Sequence, residues 1–286
     1  MDWVFSITDS ERVTGAFGAE RQAQIADALR RNGCLVLRGA VPLSTIDAMR
    51  AEFDSQCGVL GLSGLAARAA QPPPRPVLNV GDKRFEIAPR MIGALASSTV
   101  LASPLIHRFL TGILSTTMRL SGFTFVVSYP GATAQHVHRD HAHLFTEPGA
   151  GTQLPCYAVN VAIPLVDVDS ETGPTGVWPG SHRASDGTQP LLNTVTTIPL
   201  ARGDCLLLDY RTLHVGLPNR SQTVRPIAYL VYARTWFFDE LNHTTRTPLD
   251  MTIEDYRALP DSIRPLLMRV YTQHMRTEYL RKSALT

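Results

Sequence analysis

The stretch YAVNVAIPLV, residues 157–166, decides the fold class of this chain. Large apolar residues alternate along it with small or polar ones, and successive side chains of a β-strand point to opposite faces. The alternation predicts a strand that packs one face on a neighbouring layer and lines a cavity with the other. One face carries Tyr157, Val159, Val161, Ile163 and Leu165, and the other carries Ala158, Asn160 and Ala162.

Short β-rich runs of the same kind lie on both sides of this strand. Gly, Pro, Asp and Asn separate these runs, and the 20 prolines and 20 glycines suit a fold of short strands and turns. We therefore predict a mainly β core over residues of about 121–236. The runs are FTFVVSYP (123–130), VTTIP (195–199), CLLLDY (205–210) and PIAYLVYA (226–233).

The segment before this core shows helical periodicity. Apolar residues recur at helical spacing in Ala19–Arg31, Gly33 ends this predicted helix, and CLVLR follows as a buried strand. A second helix is predicted over Leu43–Gln56. The proline run in Gln71–Pro76 is incompatible with a regular helix and predicts an exposed loop or the edge of a mobile flap.

The last forty residues return to helical spacing in IEDYRALP and IRPLLMRVYTQHMRTEYL. We expect them to cover the outside of the β core. The predicted organisation is one domain over residues 1–286, with a helical part to about residue 120 and a helical cover from about residue 237.

Composition narrows the class of partner. A net charge of +2 is too small to indicate a nucleic-acid or membrane-surface binder, so we expect a small-molecule substrate, no nucleic acid and no membrane. Neither a spanning segment nor a signal-peptide pattern is visible, which predicts a soluble, cytoplasmic protein. The four cysteines show no CxxC pairing, so we expect buried, reduced thiols.

Four of the nine histidines lie in QHVHRDHAHLF, residues 135–145. Side chains two residues apart in an extended segment point to the same side, so His136 with His138, or His138 with Asp140, could hold one ion. Two histidines and one carboxylate suit Fe(II) and leave three coordination positions open. His214 follows the strand CLLLDY and is the candidate third ligand, because distant strands lie side by side in a double-wound antiparallel barrel.

Arg225 stands eleven residues after His214, close to the start of a strand predicted to enter the core. An inward guanidinium requires an anion, and a carboxylate is its best geometric match. The pattern therefore predicts a dicarboxylate beside the metal.

These residues together resemble the phytanoyl-CoA dioxygenase superfamily of Fe(II)/2-oxoglutarate oxygenases. A lone HxD motif is weak evidence, because such a pair is often an ordinary hydrogen-bonded turn. The ordered set is specific and spans most of the chain. It comprises the opening helix with CLVLRGAVP, Gln135-x-x-His138-x-Asp140, ETGPTGVWPGSH and GDCLLLDYRTLHVGLPNRSQTVR.

The resemblance implies a double-stranded β-helix, a jelly-roll or cupin-like core with flanking helices. It implies that His138, Asp140 and His214 are the catalytic iron ligands. Four further residues would bind 2-oxoglutarate: Arg225 its far carboxylate with help from a hydroxyl at Thr175, Gln135 near the iron, and Asn79 by a looser match.

The resemblance also implies that O2 and 2-oxoglutarate are converted to succinate and CO2 while a C–H bond of the substrate is oxidised. Hydroxylation is the expected outcome, with desaturation or rearrangement as variants, and Asp140 disfavours halogenation because family halogenases lack this carboxylate. We expect a secondary-metabolite substrate. The alternatives are a phytanoyl-CoA-like or amino-acid hydroxylase, and an inactive cupin-like binding protein. A homodimer is plausible.

Several neighbouring residues receive structural interpretations instead. His136, His141 and His143 are expected at the surface or around the ligands, and His182 in PGSH is expected to brace its loop. Arg84, Arg139 and Arg183 are expected to be solvated, although Arg84 could meet an acidic substrate group. None of these residues is assigned to the metal.

Overall fold

The structure, a computed structural model, describes residues 1–283 except residues 74, 146, 148, 186, 188, 189, 245 and 248. The strands are β1 (Val4–Ser6), β2 (Cys34–Arg38), β3 (Val77–Gly81), β4 (Arg84–Ile87), β5 (Arg119–Ser128), β6 (Ala158–Pro164), β7 (Thr175–Val177), β8 (Thr196–Thr197), β9 (Cys205–Asp209), β10 (His214–Gly216) and β11 (Arg225–Ala233).

Helices lie mostly before and after the central strands. They are α1 (Asp9–Thr14), α2 (Ala19–Asn32), α3 (Leu43–Gln56), α4 (Gly61–Ala69), α5 (Ser98–Leu101), α6 (Pro104–Ile113), α7 (Ala150–Gln153), α8 (Glu240–His243), α9 (Ile253–Ala258) and α10 (Met268–Ser283). Short 3₁₀ turns cover Gly58–Leu60, Gly93–Ala96, Ser181–Arg183, Leu192–Thr194 and Arg264–Leu267.

The strands form two sheets. The larger has eight strands in the order β1-β2-β9-β6-β11-β5-β4-β3, and the smaller has three in the order β10-β7-β8. All pairings are antiparallel except that of β1 with β2. The prediction of a mainly β core with flanking helices is confirmed, and the N-terminal part also contributes β1 to β4.

The larger sheet has one helix-packed face and one cavity-lining face. Phe123 and Phe125 of β5 pack with the helices in the main hydrophobic cluster, as do Val159 and Val161 of β6. Gly122, Thr124 and Val126 of β5 and Asn160 of β6 line a cavity between the sheets. The alternation predicted for this strand is thus confirmed, and it explains how the fold leaves room for a site.

Local signals position the N-terminal helices as expected. In α2, Ile25 and Leu29 are buried, and the helix ends at Gly33 with φ of 69°, a left-handed conformation that glycine adopts without strain. The second predicted helix agrees with α3, Leu43–Gln56. The described residues of the segment 71–76 form no helix, which agrees with the predicted loop.

The last two helices, α9 and α10, cover the outside of the larger sheet. Tyr256, Leu267 and Val270 join the main hydrophobic cluster, and α10 packs on β5. Among the described residues, no helix combines the length and the apolar character needed to span a membrane. All four cysteines are free, and all but the half-buried Cys156 are buried.

Candidate metal centre and its cavity

His138 and His214 are neighbours because their backbones pair as two antiparallel strand residues. The amide of His138 donates to the carbonyl oxygen of His214 at 3.0 Å, and the reverse bond measures 2.9 Å. Their rings lie with centroids 4.3 Å apart. On its other side, β10 pairs with β7, so His214 is held between two backbone partners. The predicted convergence of two distant histidines is therefore present.

The third member of the cluster is Asp140, two residues after His138. Candidate ligand atoms of Asp140, His138 and His214 all lie within 4.8 Å of one another. One carboxylate oxygen of Asp140, Oδ1, is 3.6 Å from Nε2 of His214. A single small cation can contact all three side chains at these separations.

Backbone contacts fix which imidazole nitrogen faces this cluster. Nδ1 of His138 lies 2.9 Å from the carbonyl oxygen of His136, and Nδ1 of His214 lies 3.0 Å from that of Thr212. A carbonyl oxygen only accepts, so each Nδ1 carries the proton and donates it. Nε2 of each ring is left as the nitrogen that is available to a metal ion.

Burial favours the neutral form of His138. It lowers the pKa of His138 to about 4, with the adjacent His214 contributing in the same direction. A neutral imidazole has a free lone pair at physiological pH, which metal coordination requires. Two imidazoles and one carboxylate form a donor set that suits Fe(II).

Two asparagines hold Asp140. Nδ2 of Asn160 donates to the carboxylate oxygen Oδ2 at 3.0 Å, and Nδ2 of Asn242 donates to the backbone carbonyl of Asp140 at 2.7 Å. Oδ2 is therefore engaged while Oδ1 points towards His214. Neither asparagine was predicted as part of the site, although Asn160 was placed on the cavity face of its strand.

The cluster lines a cavity of about 570 Å³ between the two sheets. Its wall includes Gly122, Thr124 and Val126 of β5, and the Glu86 and Arg246 side chains. Another cavity of about 570 Å³ lies beside α2, and none of the three clustered residues lines it. The cavity between the sheets is thus large enough for a small organic molecule next to the clustered ligands.

Arg225 belongs to a row of three buried side chains across neighbouring strands. Ser128 of β5 lies opposite both Arg225 of β11 and Arg84 of β4 in the strand register. Directly paired residues share one face of a sheet, so all three point towards the smaller sheet. The exposed fraction is 0% for Arg84 and Ser128 and 1% for Arg225.

Much of this row lacks hydrogen-bond partners. Nε and Nη1 of Arg84, Oγ of Ser128 and Nε of Arg225 are buried with no partner among the described residues. Nη2 of Arg84 donates to two backbone carbonyls at 2.9 Å, and Nη1 of Arg225 donates to that of Gly173. Buried guanidinium groups without a carboxylate partner are unfavourable, which indicates that an anion belongs here.

Burial lowers the pKa of both arginines. For Arg84 the value falls to about 10, with the positive charge of Arg225 as the second cause. The row lies beneath the cavity wall, whose residues include the neighbouring Gly216, Thr175 and Tyr229. The expectation that Arg84 is solvated is therefore wrong, because the strand register turns it inwards beside Arg225.

The motif after His214 shapes the turn that leads to Arg225. Asn219 is buried, and its Nδ2 donates to the carbonyl oxygens of Ser128 and Thr223 at 3.0 and 2.8 Å. Its Oδ1 accepts hydrogen bonds from the amide and the hydroxyl of Ser221. These contacts lock the loop between β10 and β11 and set the start of β11.

The other predicted co-substrate residues all line the cavity. Oε1 of Gln135 accepts from the amide of Gly216 at 3.2 Å, and Oγ1 of Thr175 lies 3.5 Å from the hydroxyl of Tyr229. Asn79 is exposed, and its Oδ1 already accepts from the amide of Gly81 at 3.0 Å. The amide nitrogen of Asn79 and one lone pair of its Oδ1 are left for a ligand.

The remaining histidines lie outside the cluster of ligands. His136 is exposed, and His143 is buried with Nε2 2.9 Å from the carbonyl oxygen of Ala184. His182 is buried with Nε2 3.1 Å from the carbonyl oxygen of Arg30, which agrees with a bracing role. Arg139 is half-buried and donates to the carbonyl oxygens of Ser181 and Arg211, so the expectation of a solvated side chain is wrong.

The sequence matches the family model for phytanoyl-CoA dioxygenase (PhyH) over residues 29–227. This range is more than half of the chain and contains every residue predicted to bind the metal or the co-substrate. The chain belongs to the phytanoyl-CoA dioxygenase family. This PhyH-family protein is an Fe(II)- and 2-oxoglutarate-dependent dioxygenase, as the sequence predicts.

Fungal dioxygenases are similar to this PhyH-family chain along much of its length. Dioxygenase aneA from Aspergillus aculeatus is 26% identical over 284 residues, which cover 94% of this chain and 86% of that protein. The iron/alpha-ketoglutarate-dependent dioxygenase ausO from Aspergillus calidoustus is 25% identical over 223 residues, 71% of this chain and 70% of that protein.

Solved structures share the fold of this PhyH-family chain. SnoN, a non-heme alpha-ketoglutarate-dependent epimerase from nogalamycin biosynthesis, matches with a TM-score of 0.55 and 21% identity over 81% of this chain and 91% of its own. HygX from Streptomyces hygroscopicus, with nickel and 2-oxoglutarate bound, matches with a TM-score of 0.56 and 17% identity. The match covers 78% of this chain and 89% of the HygX chain. The predicted double-stranded β-helix is confirmed.

Proposed function

We propose that this dioxygenase oxidises a small secondary metabolite and holds its iron through His138, Asp140 and His214. The observation that carries the proposal is the pairing of two features around one cavity. One is a cluster of two imidazoles and a carboxylate, and the other is a buried row of two guanidinium groups without an acidic partner. The first fits Fe(II) and the second fits a dicarboxylate.

The chain's own residues position the reactants. Nε2 of both histidines and Oδ1 of Asp140 bind the metal, while Arg225 and Arg84 orient the far carboxylate of 2-oxoglutarate. Thr175 and Gln135 line the part of the cavity between the metal ligands and the two arginines. When bound, iron and 2-oxoglutarate supply the oxidising chemistry, in which O2 is consumed and succinate and CO2 are released.

A natural-product scaffold is the favoured substrate. SnoN comes from nogalamycin biosynthesis, and HygX has been solved with hygromycin B bound. An acyl-CoA would need free cations for its phosphates, whereas Arg139 contacts backbone carbonyls and Arg246 contacts Glu86. Hydroxylation is the proposed outcome, and the complete cluster with Gln135 and Arg225 argues against an inactive binding protein.

Two further properties belong to this proposal. The free cysteines favour a reducing, cytoplasmic compartment, because disulfides are rare there. A homodimer stays a prediction, which light scattering of the purified protein tests.

Spectroscopy and product analysis test the proposed function. Anaerobic addition of Fe(II) and 2-oxoglutarate should produce the visible charge-transfer band of the chelate, and a missing band would contradict the metal and co-substrate assignment. A screen of oxygenated natural products for substrate-dependent succinate release then identifies the substrate class. A mass gain of one oxygen identifies hydroxylation, whereas a loss of two hydrogens would replace it by desaturation.

A further inference from the structure

The cavity wall contains an ion pair that the proposed metal and co-substrate sites do not use. Glu86 lies two residues after Arg84 on β4, so its side chain projects from the same, cavity-lining face. Nη1 of Arg246 approaches its two carboxylate oxygens at 3.2 and 3.0 Å. Both residues line the same cavity as His138, Asp140 and His214.

This ion pair leaves donors of Arg246 available. Nη1 serves both oxygens of Glu86, and Nε and Nη2 have no hydrogen-bond partner among the described residues. The side chain of Arg246 is 33% exposed, whereas that of Glu86 is 15% exposed. Glu86 therefore anchors the guanidinium, and the remaining N–H groups stay accessible.

The charges around the pair select the kind of group that Arg246 can bind. The pair is neutral as a unit, and Asp140 and Asp239 are close enough to help raise the pKa of Glu86, after burial as the main cause. A second carboxylate or a phosphate would compete with Glu86 for the charge of the guanidinium, and its own negative charge would lie beside that of Glu86. A neutral oxygen acceptor meets neither penalty and satisfies the N–H groups.

We propose that the Glu86–Arg246 pair is a substrate-binding element that donates hydrogen bonds to a neutral carbonyl oxygen of the substrate. The inference rests on the proposed function, because it places the substrate in the same cavity as the metal ligands. It assigns the substrate to neutral, carbonyl-bearing molecules, such as ketones and lactones, and excludes carboxylates and acyl-CoA thioesters with their phosphates.

Three fluorinated probes of similar size test this preference. para-Fluoroacetophenone is neutral, para-fluorobenzoate is an anion, and para-fluorobenzylamine is a cation at neutral pH. Fluorine NMR measures their affinities for the full chain saturated with Zn(II) and 2-oxoglutarate, so that the dicarboxylate site is already filled. We expect the ketone to bind at least about threefold more tightly than either charged probe, the equivalent of one hydrogen bond. Equal or tighter binding of the benzoate or the amine would overturn the proposal.

Variants of Glu86 and Arg246 distinguish a pair that binds the substrate from a pair that only stabilises the fold. Arg246→Lys keeps a cation for Glu86 but loses the forked nitrogens, so the ketone affinity should fall about three- to tenfold with little change in the thermal midpoint. Glu86→Gln removes the anchor and should shift the preference towards fluorobenzoate. Arg108→Gln, on an exposed part of α6, is the matched control and should change neither value.

The outcomes also distinguish this proposal from the proposed function. If Arg246→Lys and Glu86→Gln leave probe binding unchanged and lower the thermal midpoint, the ion pair stabilises the fold and does not bind substrate. The charge-transfer band with Fe(II) and 2-oxoglutarate would persist in that case. Loss of the band in the wild type would instead contradict the oxygenase assignment itself.

Discussion

At the scale of single residues, the buried row of Arg84, Ser128 and Arg225 has the largest expected effect on co-substrate binding. Arg225→Ala and Arg84→Ala should each raise the 2-oxoglutarate concentration needed for half-saturation by about ten- to a hundredfold, because each removes a charge-assisted hydrogen bond. Titration of the charge-transfer band with 2-oxoglutarate measures this requirement, and a separate titration measures Fe(II) affinity.

The exposed Arg183 provides the control for these two variants. Arg183→Ala should leave the 2-oxoglutarate requirement unchanged. Equal losses of iron and 2-oxoglutarate affinity in Arg225→Ala would count against its assignment to the co-substrate.

Asn160 has a testable positioning role beside the proposed metal ligand Asp140. Its Nδ2 binds one carboxylate oxygen at 3.0 Å, and removing partners of this kind typically costs ten- to a hundredfold in metal affinity. Asn160→Leu, of similar volume, should therefore weaken Co(II) binding by about that factor, measured from the visible absorption of the bound ion. Thr124→Val, on the same cavity wall, should leave Co(II) affinity intact. A normal Co(II) affinity in Asn160→Leu would refute the positioning role.

The residues of the site differ in how well the sequence predicts them. His138, Asp140 and His214 are recognisable because ligand type and spacing identify them without knowledge of the register. Arg84 follows a turn and begins a four-residue strand, so its inward direction depends on pairing with β5, which the sequence does not specify. The sequence did contain one sign of this direction, because the apolar Phe85 separates the polar Arg84 and Glu86, which places Arg84 and Glu86 on the same face of the strand.

At the scale of elements, the glycine at the end of β10 leaves space for two side chains of the site. A Cβ on Gly216 would lie 2.4 Å from both Nη1 of Arg84 and Oε1 of Gln135. Gly216→Ala should therefore displace both side chains and lower 2-oxoglutarate affinity by at least about tenfold, while His214 continues to bind metal. Isothermal titration with 2-oxoglutarate in the presence of Zn(II) measures the change.

Gly18→Ala is the matched glycine control, since its added Cβ would meet nothing within 4 Å. It should leave 2-oxoglutarate affinity unaltered. An unaltered affinity in Gly216→Ala would show that Arg84 and Gln135 do not contact the co-substrate.

The longer elements follow from sequence periodicity, and the shortest do not. α2, α3, β6 and β11 each contain enough residues for a helical or alternating pattern to stand out. β3 and β4 are five- and four-residue strands at the edge of the sheet, directly after a proline run, and β7 has three residues. Long-range pairing forms these short strands, so local sequence carries little sign of them.

At the scale of the whole molecule, buried histidines predict acid sensitivity of the metal-free protein. Burial lowers the pKa of His107, His138 and His182 below the ordinary 6.5, so the unfolded chain binds more protons in that range. Stability should thus be retained above about pH 6.5 and fall as the pH drops towards the folded values, by about 1.4 kcal/mol per unit of pKa difference.

Urea unfolding between about pH 7 and about pH 5 measures this slope. His182→Gln should reduce the slope, because the side chain no longer gains a proton on unfolding. Arg276→Gln, at an exposed position of α10, should leave the slope unchanged. A stability that rises as the pH falls through this range would contradict the lowered pKa values of the buried histidines.

The buried row of arginines also links the lifetime of the protein to metabolism. Unneutralised buried charge destabilises the folded chain, and a ligand that binds only the folded form adds about 2.7 kcal/mol at a hundredfold excess over its dissociation constant. Cellular proteases remove the unfolded fraction. A cell depleted of 2-oxoglutarate would therefore degrade this enzyme faster, and its abundance would follow the supply of the molecule that it consumes.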